Sequence, residues 1–323
     1  MPTRIALVTW FAVIATLAGV LDAPAQTYPS RPITIVSGFA AGSGDDTHAR
    51  LIARYLEAAI NQGVVVENKV GANAAIAAGY VARAVPDGYT LLKASVGVLA
   101  ANPALYKSIS YDAAKDFAPV SLTGRGTFLL VVNSHVPVNS IAELIPYAKA
   151  NPGKLLFASS NSNGVIAGET FKRWANIDIV HVPYKTAPPA INDLVGGHVS
   201  MMFADMTTAL PHIRANALRA LAVMTRDRSA LLPDLPSMHE AGMTDFEINS
   251  WNGLVAPANT PKDIVTRLNT EIRRIVANPV LKAQFAEIGT EIFSSTPEEM
   301  GDLIRTDLVR WAKMIKDAGI EPQ

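Results

Sequence analysis

Cysteine is absent from this 323-residue chain. That absence excludes disulfides, thiolate metal sites, thiol nucleophiles and a lipidated N-terminal cysteine. Net charge is absent too: 28 basic residues stand against 28 acidic ones. No global field therefore draws the chain to nucleic acid or to an anionic membrane, and any anion recognition has to be local. Catalytic signatures are missing as well. The histidines His48, His135, His181, His198, His212 and His239 are scattered, with no His-Glu-x-x-His, no Gly-x-Ser-x-Gly elbow and no Ser-x-x-Lys set in a fitting context. Cofactor motifs fail similarly. Gly42-x-Gly44 runs into Asp45-Asp46-Thr47 with no third glycine, and no Gly-Lys-Ser/Thr follows, so neither a dinucleotide fingerprint nor a P-loop is present. We expect no cofactor, no metal and no catalytic residue.

A hydrophobic fraction of 49% supplies ample material for one large or two medium cores. Arg4, the apolar run Ile5 to Val20 and the small-residue site Ala23-Pro24-Ala25 read as a cleaved secretory signal over 1–25, with the mature chain starting at Gln26. The run is short for a membrane span, and no later stretch reaches the ~18 consecutive apolar residues that a spanning helix needs. A soluble, exported protein is the expectation.

Short β-rich runs then alternate with helical periodicities, the pattern of parallel-sheet α/β domains. Ile33 to Ser37 reads as a buried strand, followed by Leu51, Ile52, Tyr55, Leu56 and Ala59 at helical spacing. Strand signals recur at Val64 to Glu67 and Tyr89 to Lys93. A second set starts near Phe128, where Ser140 and Glu143 form a candidate capping box. It continues through strands near 154–158, 179–182, 200–203 and 218–224 with helices between them. Farther on come a strand at Leu254 to Ala256 and long helices. Thr260-Pro261 and Thr296-Pro297 each place a hydroxyl before a proline at a helix start, and Met300, Leu303, Ile304, Leu308, Trp311 and Ile315 make one apolar stripe.

Two strand-to-helix corners are the candidate sites. The first, Gly38 to Thr47, combines turning glycines with a helix N-terminus, whose free N–H groups and positive dipole end suit a carboxylate or phosphate. The plainer reading is that Asp45 or Asp46 caps the helix and the glycines only turn the chain. Asp45 would repel a bound anion unless it points away or accepts a hydrogen bond. A metal site on Asp45, Asp46 and His48 competes poorly with capping and solvation. The second corner, Ser159 to Gly164, offers hydroxyls, amides and N–H groups. Ligands of open α/β sheets bind beyond the carboxyl ends of strands, so two such corners facing one cleft would grip a small acid from both ends.

From Tyr28 to about Gly319 the chain resembles the Bug family, the periplasmic solute receptors of tripartite tricarboxylate transporters. The phrases that carry this are Tyr-Pro-Ser-Arg-Pro-Ile from Tyr28, Val-Val-Val-Glu-Asn from Val64, Pro-Asp-Gly-Tyr-Thr-Leu-Leu from Pro86 and Tyr-Asp-Ala-Ala-Lys-Asp-Phe-Ala-Pro-Val from Tyr111. Others are Ala-Asn-Pro-Gly-Lys-Leu from Ala150, His-Val-Pro-Tyr-Lys from His181, Ala-Leu-Pro-His-Ile from Ala209, Leu-Arg-Ala-Leu-Ala-Val from Leu218 and Gly-Leu-Val-Ala-Pro-Ala from Gly253. The resemblance implies an α/β, two-lobed periplasmic-binding-protein fold (Venus flytrap, type II-like) with crossing hinge strands. Lobe 1 would span 26–122 plus 236–323, and lobe 2 would span 123–235.

It further implies capture of a dicarboxylate, tricarboxylate or aromatic carboxylate by lobe closure, in the periplasm, by a monomer that delivers to membrane permease subunits. A periplasmic sensor docking on a signalling receptor is the alternative, and a secreted hydrolase the remote one. Ligand contacts carried onto this sequence are Phe39, Ala40, Gly42, Ser43, Gly44, Asp45 and Asp46 in the first corner and Ser159, Ser160, Asn161, Asn163 and Gly164 in the second. Tyr184, Ala204 and Asp205 complete the set. Three departures touch these positions: Asp45 replaces a threonine, the second loop is about two residues short with Val165-Ile166 where His-Leu is common, and Phe203-Ala204-Asp205 stands for Phe-Asp-Asn.

Overall fold

The structure is a computed structural model, and it describes residues 28–322 except 230 and 245. The predicted signal segment lies outside the described residues.

The chain runs β1 (Ile33–Ser37), α1 (Gly44–Ile60), β2 (Val64–Asn68), a short 3-10 turn (Ala72–Ala74) leading into α2 (Ala75–Ala82), and β3 (Thr90–Ser95). A π-helical turn (Gly97–Ala101) and α3 (Asn102–Leu105) come next. The 17-residue β4 (Phe117–Asn133) then opens the run α4 (Ile141–Ala150), β5 (Leu155–Ser159), α5 (Ser162–Ala175), β6 (Ile179–Pro183) and α6 (Ala187–Val195). After β7 (Met201–Asp205), α7 (Met206–Arg214) and β8 (Leu218–Val223) the chain returns through β9 (Asn249–Pro257). It ends with α8 (Lys262–Val276), α9 (Pro279–Glu287), β10 (Thr290–Glu291) and α10 (Pro297–Asp317).

The strands form one path in the order β2-β1-β3-β9-β4-β7-β5-β6, with β8 and β10 also on β4. β1 pairs β2 and β3 in parallel, and β5 pairs β6 and β7 in parallel. Between these two parallel sets β4 acts as a shared member. Its residues Phe117 to Thr127 pair antiparallel with β9, whereas Phe128 to Asn133 pair with β7 and β8. Sequence reading saw a strand only from Phe128, because Pro119, Gly124 and Gly126 interrupt the apolar pattern upstream. Register shifts at Pro119/Ser121 and Leu122/Gly124 show how the ladder absorbs those residues.

Strands covered on both faces are expected to read as apolar runs. Ile33, Ile35 and Val36 of the parallel strand β1 and Leu129 to Val132 of the antiparallel central strand β4 are indeed fully buried. α10 lays Met300, Ile304, Trp311 and Ile315 into the main core, with Leu303 and Leu308 packed partly against it, which accounts for the apolar stripe. Its start carries a complete capping box between Thr296 and Glu299. The other two predicted caps differ. Glu143 reaches back to the Asn139 N–H at 2.8 Å instead of that of Ser140, although Ser140 does cap the Glu143 amide. Thr260 donates its hydroxyl to the Pro257 carbonyl at 2.8 Å, and α8 starts after Pro261 without a side-chain cap. Among the described residues no helix is long and apolar enough to cross a membrane.

Candidate functional site

The first corner is the turn from β1 into α1. Gly42 adopts φ +79°, a conformation that L side chains rarely take. Ser43 caps α1, its Oγ accepting from the Asp46 N–H at 3.2 Å. Asp46 braces the loop from behind: its carboxylate accepts from the Gly42 N–H (3.1 Å), Arg50 Nε (2.9 Å) and Asn68 Nδ2 (2.8 Å). Burial opposes its charge, but those hydrogen bonds outweigh it and hold the Asp46 carboxyl below its ordinary value. Asp45 faces the other way. It accepts from Ser37 Oγ at 2.9 Å and forms an ion pair with Lys93 Nζ. Lys93, 2% exposed, also donates to Asn252 Oδ1 at 2.8 Å. The repulsion anticipated for Asp45 is thus met by a buried lysine that its place in an apolar strand pattern concealed.

The second corner, from β5 into α5, is built on Asn161, whose Oδ1 accepts from the Gly164 N–H at 2.9 Å. Ser162 Oγ donates to Asn102 Oδ1 at 2.6 Å, Asn102 Nδ2 to the Asn73 carbonyl at 2.8 Å, and Asn73 Nδ2 to Tyr106 Oη at 2.8 Å. This polar chain ties the second corner to the 3-10 turn and α3. Asn163 Oδ1 is buried with no hydrogen-bond partner, against Gly97.

Both corners face one cavity of about 80 Å³. Of the predicted positions, Phe39, Ser43, Gly44, Asp45, Ser160, Asn161, Asn163 and Asp205 line it. Ala40, Gly42, Asp46, Ser159, Gly164, Tyr184 and Ala204 are not among its lining residues. Each of these has another task where a contact is recorded. Ser159 Oγ lies 2.6 Å from His181 Nε2, whose ring stacks on Phe157. Tyr184 donates to Asp193 Oδ2 at 2.6 Å, and burial with that carboxylate pushes its hydroxyl up to about 12. Ala204 pairs with Leu129 and packs into the second core.

Sequence reasoning did not name as site residues the cavity-lining Asn73, Ser95, Gly97, Gly126, Phe128, Ala187, Thr207, Ser250, Asn252 and Thr290; it weighed His48 only as a metal ligand and took Ser162 as part of the second corner. Gly126, Phe128, Ser250, Asn252 and Thr290 come from β4, β9 and β10, which no local motif marks. His48 is buried, its Nε2 2.8 Å from Thr123 Oγ1 and its Nδ1 without a partner. Burial, then the nearby Lys93 charge, hold its imidazole well below the ordinary value, so it is neutral at neutral pH.

Asp205 sits at the seam between the two sets of strands. It caps α7, its Oδ1 accepting from the Thr208 N–H at 2.9 Å. Burial raises its carboxyl, Thr208's hydrogen bonds partly counter that, and the Asp45 charge adds to the rise. Directly opposite is Gly44, where a Cβ would overlap Asp205 Oδ1 and lie 3.2 Å from Thr207 Cβ. Two helix N-termini, two carboxylates, hydroxyls and amides therefore converge on one cavity. Among the described residues no arginine or lysine lines it. Among the described residues no group of three or more His, Cys, Asp or Glu is arranged to hold a metal ion.

Two parallel α/β sheet halves that share one long strand and turn helix N-termini toward a common cavity define a two-lobed periplasmic binding protein of the Venus-flytrap type. The chain belongs to the tripartite tricarboxylate transporter family receptors, whose family model matches residues 48–320. It is similar to protein BugT of Bordetella pertussis, 35% identical over 95% of this chain and 95% of that protein. Among solved structures it is similar to R. palustris Rpa4515 with adipate, 36% identical at a TM-score of 0.89, covering 92% of this chain and 100% of that one. MatC from Rhodopseudomonas palustris with bound malate is 30% identical at a TM-score of 0.84, covering 89% and 100%. The Bug-family resemblance read from the sequence is borne out.

Proposed function

We propose that this protein captures a small organic acid in the periplasm by lobe closure and delivers it, without transforming it, to the membrane permease of a tripartite tricarboxylate transporter. The observation that carries this reading is the convergence of the β1–α1 and β5–α5 corners on one cavity. Unpaired N–H groups at the first turn of each helix, backed by the helix dipoles, suit a carboxylate, and the bound adipate and malate of two similar proteins belong to that class. The lobes would be 26–122 with 236–323 and 123–235, moving about the crossing strands β4 and β9. Ligand contacts would come from Phe39, Ser43, Gly44, Asp45, Ser160, Asn161, Asn163 and Asp205. The Ser159–His181 contact is a hydroxyl–imidazole pair, yet Ser159 is buried and outside the cavity lining, which favours binding over catalysis.

Thermal-shift screening against adipate, malate and other small carboxylates is the direct test. A ligand at 100 times its dissociation constant adds ~2.7 kcal/mol to stability. Stabilisation with no turnover of the bound acid is the expected result, and stabilisation by none of them would remove the organic-acid reading. Delivery is tested by ligand uptake into vesicles holding the permease's membrane subunits, with and without this protein.

A further inference from the structure

The cavity's charges do not balance once an acid enters. Asp45 reaches it from α1 and Asp205 from the end of β7. Lys93 is buried beside Asp45, and its ammonium is engaged by Asp45 and Asn252. The other ionisable groups around Asp205 supply no counter-charge. His48 on α1 is neutral near pH 7, Asp46 is paired with Arg50, and Arg125 of β4 is paired with Glu291 of β10. On α7 itself His212 and Arg214 lie in the last turn, at the end away from the cap. An entering carboxylate therefore adds a second negative charge where, among the described residues, Asp205 forms no ion pair. Like charges in a water-poor site oppose each other, and protonation of one relieves them.

The position of Asp205 suits that role. Its recorded partners are the N–H and hydroxyl of Thr208, at 2.9 Å and 2.8 Å to Oδ1 and 3.0 Å to Oδ2. Both contacts lie on its own helix, so the carboxyl retains capacity toward the cavity it lines. We propose that Asp205 is a specificity-determining residue that is protonated in the ligand-bound state, so that this receptor takes up an organic acid together with one proton. The proton comes from solvent, and Asp205 donates the resulting O–H to a ligand carboxylate oxygen. No covalent bond other than that O–H forms or breaks. The inference rests on reading the cavity as the organic-acid site. Burial and the Asp45 charge, which both raise the Asp205 carboxyl, agree with it.

The test is calorimetric titration of the purified protein with adipate and, in parallel, malate, between about pH 6.5 and about pH 8, where these carboxylates are ionised. Each titration is repeated in two buffers of different ionisation heat. The expected result is uptake of about one proton and an affinity that falls about tenfold per pH unit where free Asp205 is ionised. Asp205→Asn keeps a good helix cap and has a permanent donor. It is expected to bind with a flat pH profile and, at about pH 8, more tightly than the wild type. Wild-type affinity that stays constant across the range with no proton uptake, or an equally steep profile in Asp205→Asn, overturns the proposal and leaves the receptor reading intact. Binding of neither acid, by either protein at any pH, would instead remove the organic-acid reading and this inference with it.

Discussion

Gly44→Ala is the sharpest probe of how the two halves meet. Gly44 is the first residue of α1 and has no left-handed backbone angle, so alanine is compatible with its conformation and favours the helix by up to ~1 kcal/mol. The added Cβ would overlap Asp205 Oδ1 and stand 3.1 Å from Asp205 Cγ and 3.2 Å from Thr207 Cβ. Carbon atoms pack at ~3.5–4.0 Å, so the seam must widen by several tenths of an ångström or Asp205 must swing away. Swinging gives up the α7 cap at ~0.5–2 kcal/mol, and forcing the overlap costs ~1–3 kcal/mol. The cheaper route sets the cost, about 1–2 kcal/mol, and it applies only where Gly44 and Asp205 are in contact. On the proposed closure, in which the halves part when no ligand is bound, we expect a dissociation constant for the acid found in the thermal-shift screen about 5- to 30-fold higher, with the ligand-free urea midpoint unchanged or slightly raised. Titration calorimetry beside urea denaturation separates the two effects. Affinity within twofold of wild type would show that Gly44 and Asp205 do not meet in the bound state, and the closure argument would fail.

Lys93→Met removes the buried partner of Asp45 and should cost ~3–5 kcal/mol in urea denaturation, with part of the loss restored by adding Asp45→Asn. His48 is held neutral when folded, so the unfolded chain binds the extra proton. Its contribution is complete above about pH 6.5 and is lost as pH falls, at up to ~1.4 kcal/mol per unit. Denaturation at several pH values should show this slope in the wild type and not in His48→Gln. Thr296→Ala opens the capping box of α10 and should lower stability by ~0.5–2 kcal/mol with affinity for the acid found in the screen unchanged.

Much of the fold is legible from local pattern. The strand Ile33–Ser37 was read with its observed ends, and the α10 stripe and the Thr296–Glu299 box stand where periodicity and cap chemistry put them. Such features arise between residues a few positions apart, which a linear sequence displays directly. The two corners are legible for the same reason, since a strand, a glycine or Ser/Asn turn and a helix start form one contiguous signal.

What the chain order hides is decided by long-range pairing. Lys93 looks like an interruption in a strand until the sheet places it beneath Asp45, 48 positions away. Asp205 looks like a helix cap until α1 brings Gly44 against it. His48 reads as a possible metal ligand until Thr123, Phe285 and Lys93 enclose it. The α/β alternation and the two strand-to-helix corners were legible in the sequence because they rest on local hydrogen bonding and hydrophobic period, and the family was legible in the order and spacing of its matching phrases. Only the tertiary structure decided which charges meet in the cavity. Electrostatics there depends on distance and burial, and neither quantity exists until the strands have paired.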